Sequence, residues 1–444
     1  MRSFVSTDDI RSWGGILQGQ HFVSRPNWRD QLPRSIAEAR DADHSLLAIG
    51  LGRSYGDSGL NPGGALVDMT ALDRIISFDP ATGLLRAEAG ISFADILDLF
   101  VRRGFFLPVT PGTRFVTLGG AIANDVHGKN HHLAGTIGRW VRRIGLLRSD
   151  GTEIELRDDD QTGLFAATIG GLGLTGLITW AEIELMRIPS ALMDVETLPF
   201  ANVDEFFAVA AESEGSADYT VAWVDCLAKG NALGRGLFTR ARHAPRGTKL
   251  ARVEKPKLTV PFSMPSFVLN NLSIGLFNSL YFYKGRRAAG KATTPYLPYF
   301  YPLDSIGHWN RIYGRRGMYQ YQSVVPPVTA RDATTEMLKA ISKAGEGSFL
   351  AVLKTFGEKV SPGLLSFPQA GTTLALDFPN RGQLTLDLLS RLDDIVREAG
   401  GRLYPAKDGR ISAAMFRAGY PAWETFAQHV DPAFSSAFWR RISE

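Results

Sequence analysis

Residues 111–137, PGTRFVTLGGAIANDVHGKNHHLAGTI, combine a high density of glycine with three of the chain's eight histidines and a single acidic residue. Glycine at this density allows the backbone to turn tightly or to approach a ligand closely. The uncharged run from Thr117 to Ile122 has few side chains that would shield its backbone N–H groups from an anion such as a pyrophosphate. The segment therefore indicates an anion-binding loop, and the alternative is a turn-rich connection with core histidines.

Residues 111–137 are here called the second glycine segment. The first glycine loop, GLGRSYGD at residues 50–57, precedes it in the chain and follows a hydrophobic strand that ends at Ile49. The loop does not match the dinucleotide-binding fingerprint, because no long helix follows it. Three more glycines and another predicted strand, Leu66–Met69, come next instead. The pattern therefore excludes a Rossmann fold.

Four segments together resemble the vanillyl-alcohol oxidase / p-cresol methylhydroxylase superfamily: GLGRSYGD, LPVTPGTRFVTLGGAIANDVHGKNHH, GGLGLTG and GRLYPAKDGR. The resemblance covers nearly the whole chain, and the VHGKNHH and YPAKD pieces are typical of the group that oxidises a polyprenylphosphoryl-β-D-ribose. It implies an α+β, two-domain PCMH-type FAD-binding fold with a separate sheet-plus-helices substrate domain. The expected limits are 1–190 for the FAD-binding domain, 191–401 for the substrate-binding domain, and 402–444 for a C-terminal segment that returns to the FAD domain.

The resemblance also implies a reaction, the FAD-dependent oxidation of the 2′-hydroxyl of the lipid-linked ribose to a 2′-keto sugar. This is the first step of an epimerisation to the lipid-linked arabinose donor, an arabinan precursor in cell wall biosynthesis, and an NAD(P)H-dependent keto-sugar reductase would complete it. Two alternatives remain open: an aldonolactone-type sugar oxidase of the same superfamily, and a catalytically silent flavoprotein that serves as an assembly partner. The presence of both glycine loops, His127 and Lys407 argues against the silent flavoprotein.

Composition limits the other classes. A hydrophobic content of 44% with 21% charged residues is typical of a globular chain, and a net charge of +4 gives no reason to expect nucleic acid as a partner. The single cysteine, Cys226, excludes an internal disulfide framework and a cysteine-based metal cluster. The first fifteen residues lack the apolar core of a signal peptide. We therefore expect a cytoplasmic protein with peripheral contact at the inner face of the membrane, the periplasm being the alternative.

Hydrophobic periodicity predicts many short strands and several helices. Predicted strands are Leu46–Ile49, Leu66–Met69, Ile75–Phe78, Leu84–Ala89, Ile144–Arg148, Thr175–Met186, Tyr219–Cys226, Gln320–Val325, Phe349–Thr355 and Thr373–Phe378. Predicted helices are Ser92–Arg103, with Ser92 as its N-cap and Gly104 past its end, Val203–Ala211, Ala330–Ala344 and Leu384–Ala399.

One long segment has an unusual charge pattern. Residues 235–257 carry eight lysines and arginines against one glutamate, and the next 26 residues, 258–283, carry no charge. Two prolines and three asparagines within the uncharged run argue against a membrane-spanning helix. We expect this run to form a mobile flap over the substrate pocket that also contacts the membrane, and the basic stretch to attract anionic lipid. The alternative is an ordered loop packed inside the substrate domain.

Oxidation of a secondary alcohol needs a group that accepts the hydroxyl proton beside the flavin. The resemblance places Lys407 next to flavin and substrate, where desolvation would lower its pKa and suit it to act as a base or as a cation for developing negative charge. His127 is the second catalytic candidate, because the loop that holds the cofactor also carries it. The adjacent His131 and His132 have no third ligand at metal spacing, so no metal site is expected.

The resemblance implies that FAD is bound noncovalently. Many members of the superfamily have a histidine in the first loop that bonds to the flavin, and Tyr55 replaces it here. The expected cofactor-binding residues are Gly50, Gly52, Arg53, Ser54, Tyr55, Gly56, Gly112, Thr117, Leu118, Gly119, Gly120, Asn124, His127, Ile178, Tyr404 and Lys407.

The expected substrate-binding residues lie mainly on the later strands. Gln320 and Gln322 alternate on one strand and so share one face. Lys354 interrupts an apolar strand, which is costly to bury without an anionic partner; an edge-strand lysine in water is the alternative. The resemblance adds Lys129, Trp223 and Phe300 to this set, and Asp377 near the pocket. The expected ligand is a lipid-linked sugar phosphate.

Overall fold

The computed structural model describes residues 3–245, 258–265 and 269–443. Two main sheets form its N-terminal part. The smaller sheet has the strand order Phe4–Thr7, His21–Ser24, Ala65–Asp68, Leu46–Ile49. The larger, antiparallel sheet has the order Ile75–Asp79, Leu84–Glu88, Leu177–Glu184, Val141–Leu147, Glu153–Arg157. The first glycine loop thus begins directly at the end of the Leu46–Ile49 strand, which lies at the edge of the smaller sheet.

The helices of this part are short. They are Leu32–Asp41, Phe93–Phe100, Leu118–Ala123, His131–Ala134 and Leu164–Thr168. The predicted helix at 92–103 is confirmed together with its end signals. Ser92 Oγ accepts a hydrogen bond from the Asp95 backbone N–H at 3.1 Å, and Gly104 ends the last turn with a φ of +82°. A short strand, Phe105–Phe106, follows and pairs with Met186–Arg187.

The later part is built on one eight-stranded sheet. Its strand order is Gly290–Pro295, Leu192–Phe200, Gly236–His243, Tyr219–Val224, Ala351–Phe356, Gly371–Pro379, Met318–Val325, Arg402–Leu403. Helices Val203–Ser213, Ala330–Ala344 and Gln383–Glu398 cover one face, where Phe206, Leu338 and Leu389 share a core with the sheet residues Leu353 and Leu376. The opposite face of the middle strands is left for the site described below. Mixed helices and sheets of this kind confirm the α+β class.

Two elements in the segment of unusual charge differ from expectation. The beginning of the basic stretch, Gly236–His243, is an interior strand of the large sheet, where Arg235 pairs with Asp225 at 2.9 Å and Arg240 with Glu196 at 2.8 Å. These two cations are therefore neutralised within the fold. The rest of the basic stretch, from residue 246 to 257, lies outside the described residues.

A helix that periodicity did not reveal, Asn271–Arg287, begins within the uncharged run and ends four residues beyond it. It is here called the outer helix. Asn270 caps it by accepting hydrogen bonds from the backbone N–H groups of Leu272 and Ser273. The helix was not predicted because its own apolar residues are spread around its whole circumference, so the sequence shows no single apolar face. The run is not an internal loop, since Leu272, Leu276 and Leu280 are 83%, 60% and 62% exposed. No helix among the described residues has the length and apolarity needed to cross a membrane.

The C-terminal segment packs against the first glycine loop. It contains the helices Ala413–Gly419, Trp423–Ala427 and Ala437–Ser443. Arg441 in the last helix forms a two-pronged ion pair with Asp57, through Nε at 3.0 Å and Nη2 at 2.8 Å. The C-terminal end of the chain thus contacts the first glycine loop directly.

Candidate active site

A cavity of about 610 Å³ lies where the two glycine segments face the middle strands of the large sheet. Of the sixteen residues that were predicted to bind the cofactor, all except Leu118 line this cavity. Gln320, Gln322 and Lys354 line its opposite wall. Stretches distant in sequence therefore meet at one site.

Close backbone packing explains the glycines of the first loop. A Cβ on Gly56 would overlap the backbone carbonyl of Asp408, and one on Gly50 would overlap the Thr117 side chain. Gly52 instead has a φ of +61° and open space where its side chain would be. The loop thus touches the second glycine segment and the C-terminal segment, while part of its backbone remains open to a ligand.

The second glycine segment turns into the Leu118–Ala123 helix at the cavity wall. Thr117 caps this helix by accepting a hydrogen bond from the Gly120 backbone N–H at 3.2 Å. A Cβ on Gly119 would lie 2.9 Å from that of Ala89, closer than such atoms normally approach. Leu118 is fully buried beneath the segment, so it supports the cavity wall without facing it.

The residues present fit a flavin cofactor. Open space lies beside the backbone of Gly52 and Gly112, where no atom would meet an added Cβ. Among the described residues, Asn124 Oδ1, His127 Nδ1 and Gln320 Oε1 are buried polar atoms at the cavity without a hydrogen-bond partner. Buried polar atoms are nearly always paired in folded proteins, so these three indicate ligand contacts.

His127 is held in one orientation by the large sheet. The Gln322 amide nitrogen lies 3.1 Å from His127 Nε2 and donates to it, which leaves the proton of the neutral ring on Nδ1. Burial, with the nearby charge of Lys354, holds the pKa of His127 well below its usual value. The imidazole is therefore neutral at physiological pH, with a donor at Nδ1 and its lone pair already engaged.

Two lysines at the cavity have unusual protonation behaviour. Burial lowers the pKa of Lys407 to about 8, although Asp377 opposes this effect. Burial, with the positive charge of Lys407, lowers the pKa of Lys354 to about 8 as well. Both lysines can therefore exchange protons near neutral pH, and an anion bound to Lys354 would restore the charge of that lysine.

Asp377 links Lys407 to the sheet. Gln320 donates a hydrogen bond to Asp377 Oδ1 at 2.6 Å. Burial raises the pKa of Asp377 to about 7, against the opposing effects of Gln320 and Lys407. Lys407 Nζ also lies 4.2 Å from the ring centroid of Tyr55. The lysine thus lies against an aromatic face from the first glycine loop, and the charge of Asp377 acts on its pKa.

Comparison with known proteins identifies this architecture. A family model described as an FAD binding domain matches residues 21–157. Decaprenylphosphoryl-beta-D-ribose oxidase of Mycolicibacterium smegmatis is 35% identical over 99% of this chain and 98% of its own length. The chain belongs to the decaprenylphosphoryl-beta-D-ribose oxidase family. It is therefore an FAD-dependent oxidoreductase.

Other relatives show how far the likeness extends. An uncharacterized protein in the mprA 5' region of Streptomyces coelicolor is 33% identical over 79% of this chain and 100% of its own length. A putative D-arabinono-1,4-lactone oxidase of Neurospora crassa is 29% identical, but only over 40% of this chain and 32% of its own. Lactone oxidases are thus distant relatives of this oxidase family.

Three predicted substrate residues do not line the oxidase cavity. Lys129 points away from it: its Nζ donates to the Tyr299 carbonyl and lies 4.2 Å from the Tyr299 ring, and burial lowers its pKa to about 7. Phe300 is a core residue packed on Phe106 and Tyr219. Trp223 lies on the interior strand Tyr219–Val224, with its ring 4.7 Å from that of Tyr281 on the outer helix.

The histidines beside Lys129 make contacts within the protein. His132 Nε2 contacts the Ala217 carbonyl at 2.9 Å, and the His131 ring packs 4.5 Å from Phe356. Burial lowers the pKa of His131 to about 3. Within the described ranges, no group of three histidine, cysteine or acidic residues could hold a metal ion.

Several residues that line the cavity were not predicted from the sequence. Trp13, Asp304 and Trp309 come from segments without a recognisable motif, and Asp304 accepts a hydrogen bond from the Arg114 backbone N–H at 2.9 Å. Asp125, beside the cavity, stands inside the second glycine segment and could have been found there. Its buried carboxylate accepts hydrogen bonds from Gly138, Ser361 and Ser366, which fixes the loop carrying His127.

Proposed function

We propose that this chain oxidises the 2′-hydroxyl of a polyprenylphosphoryl-β-D-ribose to the 2′-keto sugar. The observation that supports this substrate most is a pair of lysines, Lys354 and Lys407, that line the same cavity as the flavin-binding loops. Two cations beside each other in a desolvated site are costly unless an anion joins them, and a sugar phosphate is such an anion. The name of the full-length Mycolicibacterium relative agrees with this substrate.

The FAD bound at this site supplies the hydride acceptor for C2. The chain must then receive the proton of the 2′-hydroxyl, and Lys407 Nζ is suited to this task. With a pKa of about 8, roughly a tenth of Lys407 is neutral at pH 7 and able to accept a proton. His127 cannot compete, because Gln322 occupies its lone pair, and its unpaired Nδ1–H is instead available to donate to a ligand.

Lys354 holds the phosphate in this proposal. It projects from the Ala351–Phe356 strand into the cavity, close to His127 and the Gly128 carbonyl. A bound phosphate raises the pKa of Lys354 again, so that its side chain stays protonated at neutral pH. The hydrogen bonds of an ammonium to a phosphate also hold the ribose in place for reaction.

An aldonolactone substrate fits the site less well. A free lactone is neutral and gives no partner to Lys354, and the lactone oxidase relative matches only 40% of the chain. A 2′-keto product would pass to an NAD(P)H-dependent keto-sugar reductase, which we propose as the partner that completes the epimerisation.

The test is anaerobic mixing of the enzyme with farnesylphosphoryl-β-D-ribose or with L-gulono-1,4-lactone while the visible flavin absorbance is followed. We expect bleaching by the lipid-linked ribose alone. Borohydride reduction of that product should return both ribose and arabinose, since the new hydrogen can enter either face of the 2′-ketone. Bleaching by the lactone alone would overturn the assignment.

Peripheral membrane contact, at the inner face of the membrane, also forms part of the proposal. The outer helix exposes Leu272, Leu276 and Leu280 on one side, at i, i+4 and i+8, and carries three basic residues in its last turn. An apolar ridge that ends in cations suits an anionic lipid surface.

Sedimentation with anionic vesicles at low and high salt tests this contact. Leu276→Asn combined with Leu280→Asn should reduce the bound fraction. Leu384→Asn, which changes a 67% exposed leucine on another helix, is the matched control and should not. Equal binding of all three proteins, or none at low salt, would exclude the membrane contact.

A further inference from the structure

We infer that the polyprenyl tail of the substrate leaves the cavity along a continuous set of aromatic side chains that ends on the outer helix; this inference rests on the proposed function. It gives the tail a defined binding surface on the protein, the tail track. The track consists of Trp309, Tyr313, Phe349, Phe277, Tyr281 and Trp223.

The change in polarity along one strand indicates the direction in which the tail leaves the cavity. Leu350, Val352 and Lys354 all line the cavity, as alternate residues of an extended chain do. The wall therefore changes from cationic to apolar over the four residues from Lys354 to Leu350, a distance of about 13 Å. A ligand with its phosphate on Lys354 meets an apolar surface of this strand in the direction of Leu350.

The apolar surface continues beyond Leu350. The neighbouring Phe349 stacks on Tyr313 with ring centroids 5.6 Å apart, and Tyr313 lies 6.4 Å from Trp309 of the cavity wall. The edge of Phe349 also meets Phe277 of the outer helix at 5.7 Å. Phe349 thus connects the cavity wall with the molecular surface.

Strand register places Trp223 beside the same surface. Trp223 is directly opposite Val352 in the antiparallel pair of strands, so both side chains point to the cavity side of the sheet. Tyr281 covers Trp223 at 4.7 Å and stacks with Phe277 at 5.8 Å. Trp223 therefore belongs to the tail track rather than to the sugar site.

The outer end of the track is only partly covered. Phe277 and Tyr281 are 44% and 45% exposed, and their helix also exposes the leucine ridge described above. Partly exposed aromatic rings beside a cavity are suited to an elongated apolar ligand. A lipid tail following them would arrive where the membrane contact is proposed.

The test compares tail lengths in the Phe277→Asn variant of the full-length flavoprotein. Binding is measured by calorimetry with farnesyl phosphate and with dimethylallyl phosphate, which share the phosphate but carry fifteen and five carbons. Half of a phenylalanine surface corresponds to a loss of about five- to tenfold in affinity. We expect that loss for farnesyl phosphate and no change for the short phosphate. Leu384→Asn should alter neither.

The outcome does not depend on turnover. Wild-type binding of farnesyl phosphate no tighter than that of the short phosphate would overturn the tail track. An equal effect of Phe277→Asn on both ligands, or an effect on neither, would also overturn it. Failure of the proposed function would appear separately, as tight binding of farnesyl phosphate without any flavin reduction by the ribosyl lipid. Normal circular dichroism of both variants checks that the fold is kept.

Discussion

The role of Lys407 can be decided by comparing Lys407→Arg with Lys407→Met. Arginine keeps a positive charge but does not release its proton, whereas methionine removes both charge and base. A positioned general base typically contributes about 10²- to 10⁴-fold to a rate. If Lys407 accepts the hydroxyl proton, both variants should lose the limiting rate of flavin reduction by about this factor.

The pH dependence gives an independent magnitude. A base must be neutral to act, so the wild-type apparent second-order rate of flavin reduction should rise about tenfold per pH unit below the Lys407 pKa of about 8 and level off above it. Ionised Asp377 stabilises the Lys407 ammonium and raises its pKa. Asp377→Asn should therefore move the midpoint of the profile to lower pH.

The assay is anaerobic stopped-flow reduction by farnesylphosphoryl-β-D-ribose across the range around this midpoint. Retained flavin absorbance spectra and equal FAD content show that the variants still hold the cofactor. The reasoning is refuted if Lys407→Arg keeps a rate close to that of the wild type, since a cation alone would then suffice. An unchanged midpoint in Asp377→Asn would show that the Asp377 carboxylate does not affect the pKa of the base.

Three further results are expected. Acid precipitation should release the flavin into the supernatant, because Tyr55 cannot form the histidine link, and flavin in the pellet would disprove noncovalent binding. Arg441→Ala should lower the free energy of unfolding in urea by about 2–3 kcal/mol, because it leaves the buried Asp57 carboxylate without its partner, whereas Arg34→Ala on the surface should change it little. Lys354→Met should raise the half-saturating concentration of the ribosyl lipid by about 10- to 100-fold, through loss of a charged hydrogen bond, and an unchanged value would remove Lys354 from the phosphate site.

Local signals in the sequence predicted much of the flavin side of the molecule. The Ser92 cap, the stop at Gly104 and the two glycine segments are short-range features, and short-range features can be read from one sequence. The identity of the C-terminal lysine came from the family resemblance, because an isolated lysine in a turn has no periodicity or spacing that marks it.

The substrate side depended on strand pairing that the sequence does not encode locally. Gln320 lies opposite Asp377, and Lys354 opposite Thr373, only because of the register of three strands that are separated in the sequence by a helix and by a loop. The outer helix was not predicted for a different reason, because its apolar residues are spread over all of its faces. Lys129 and Phe300 were assigned from the resemblance, but the fold turns both into packed neighbours of Tyr299.

The central claim is hydride removal from C2 of the ribose, and isotopic substitution tests it most directly. Single-turnover flavin reduction is measured with farnesylphosphoryl-β-D-ribose carrying deuterium at C2 and, as the matched control, at C3. The account predicts reduction slowed by a primary isotope effect with the C2 label and an unchanged rate with the C3 label. A primary effect from C3, or the complete absence of flavin reduction by either lipid, would contradict it.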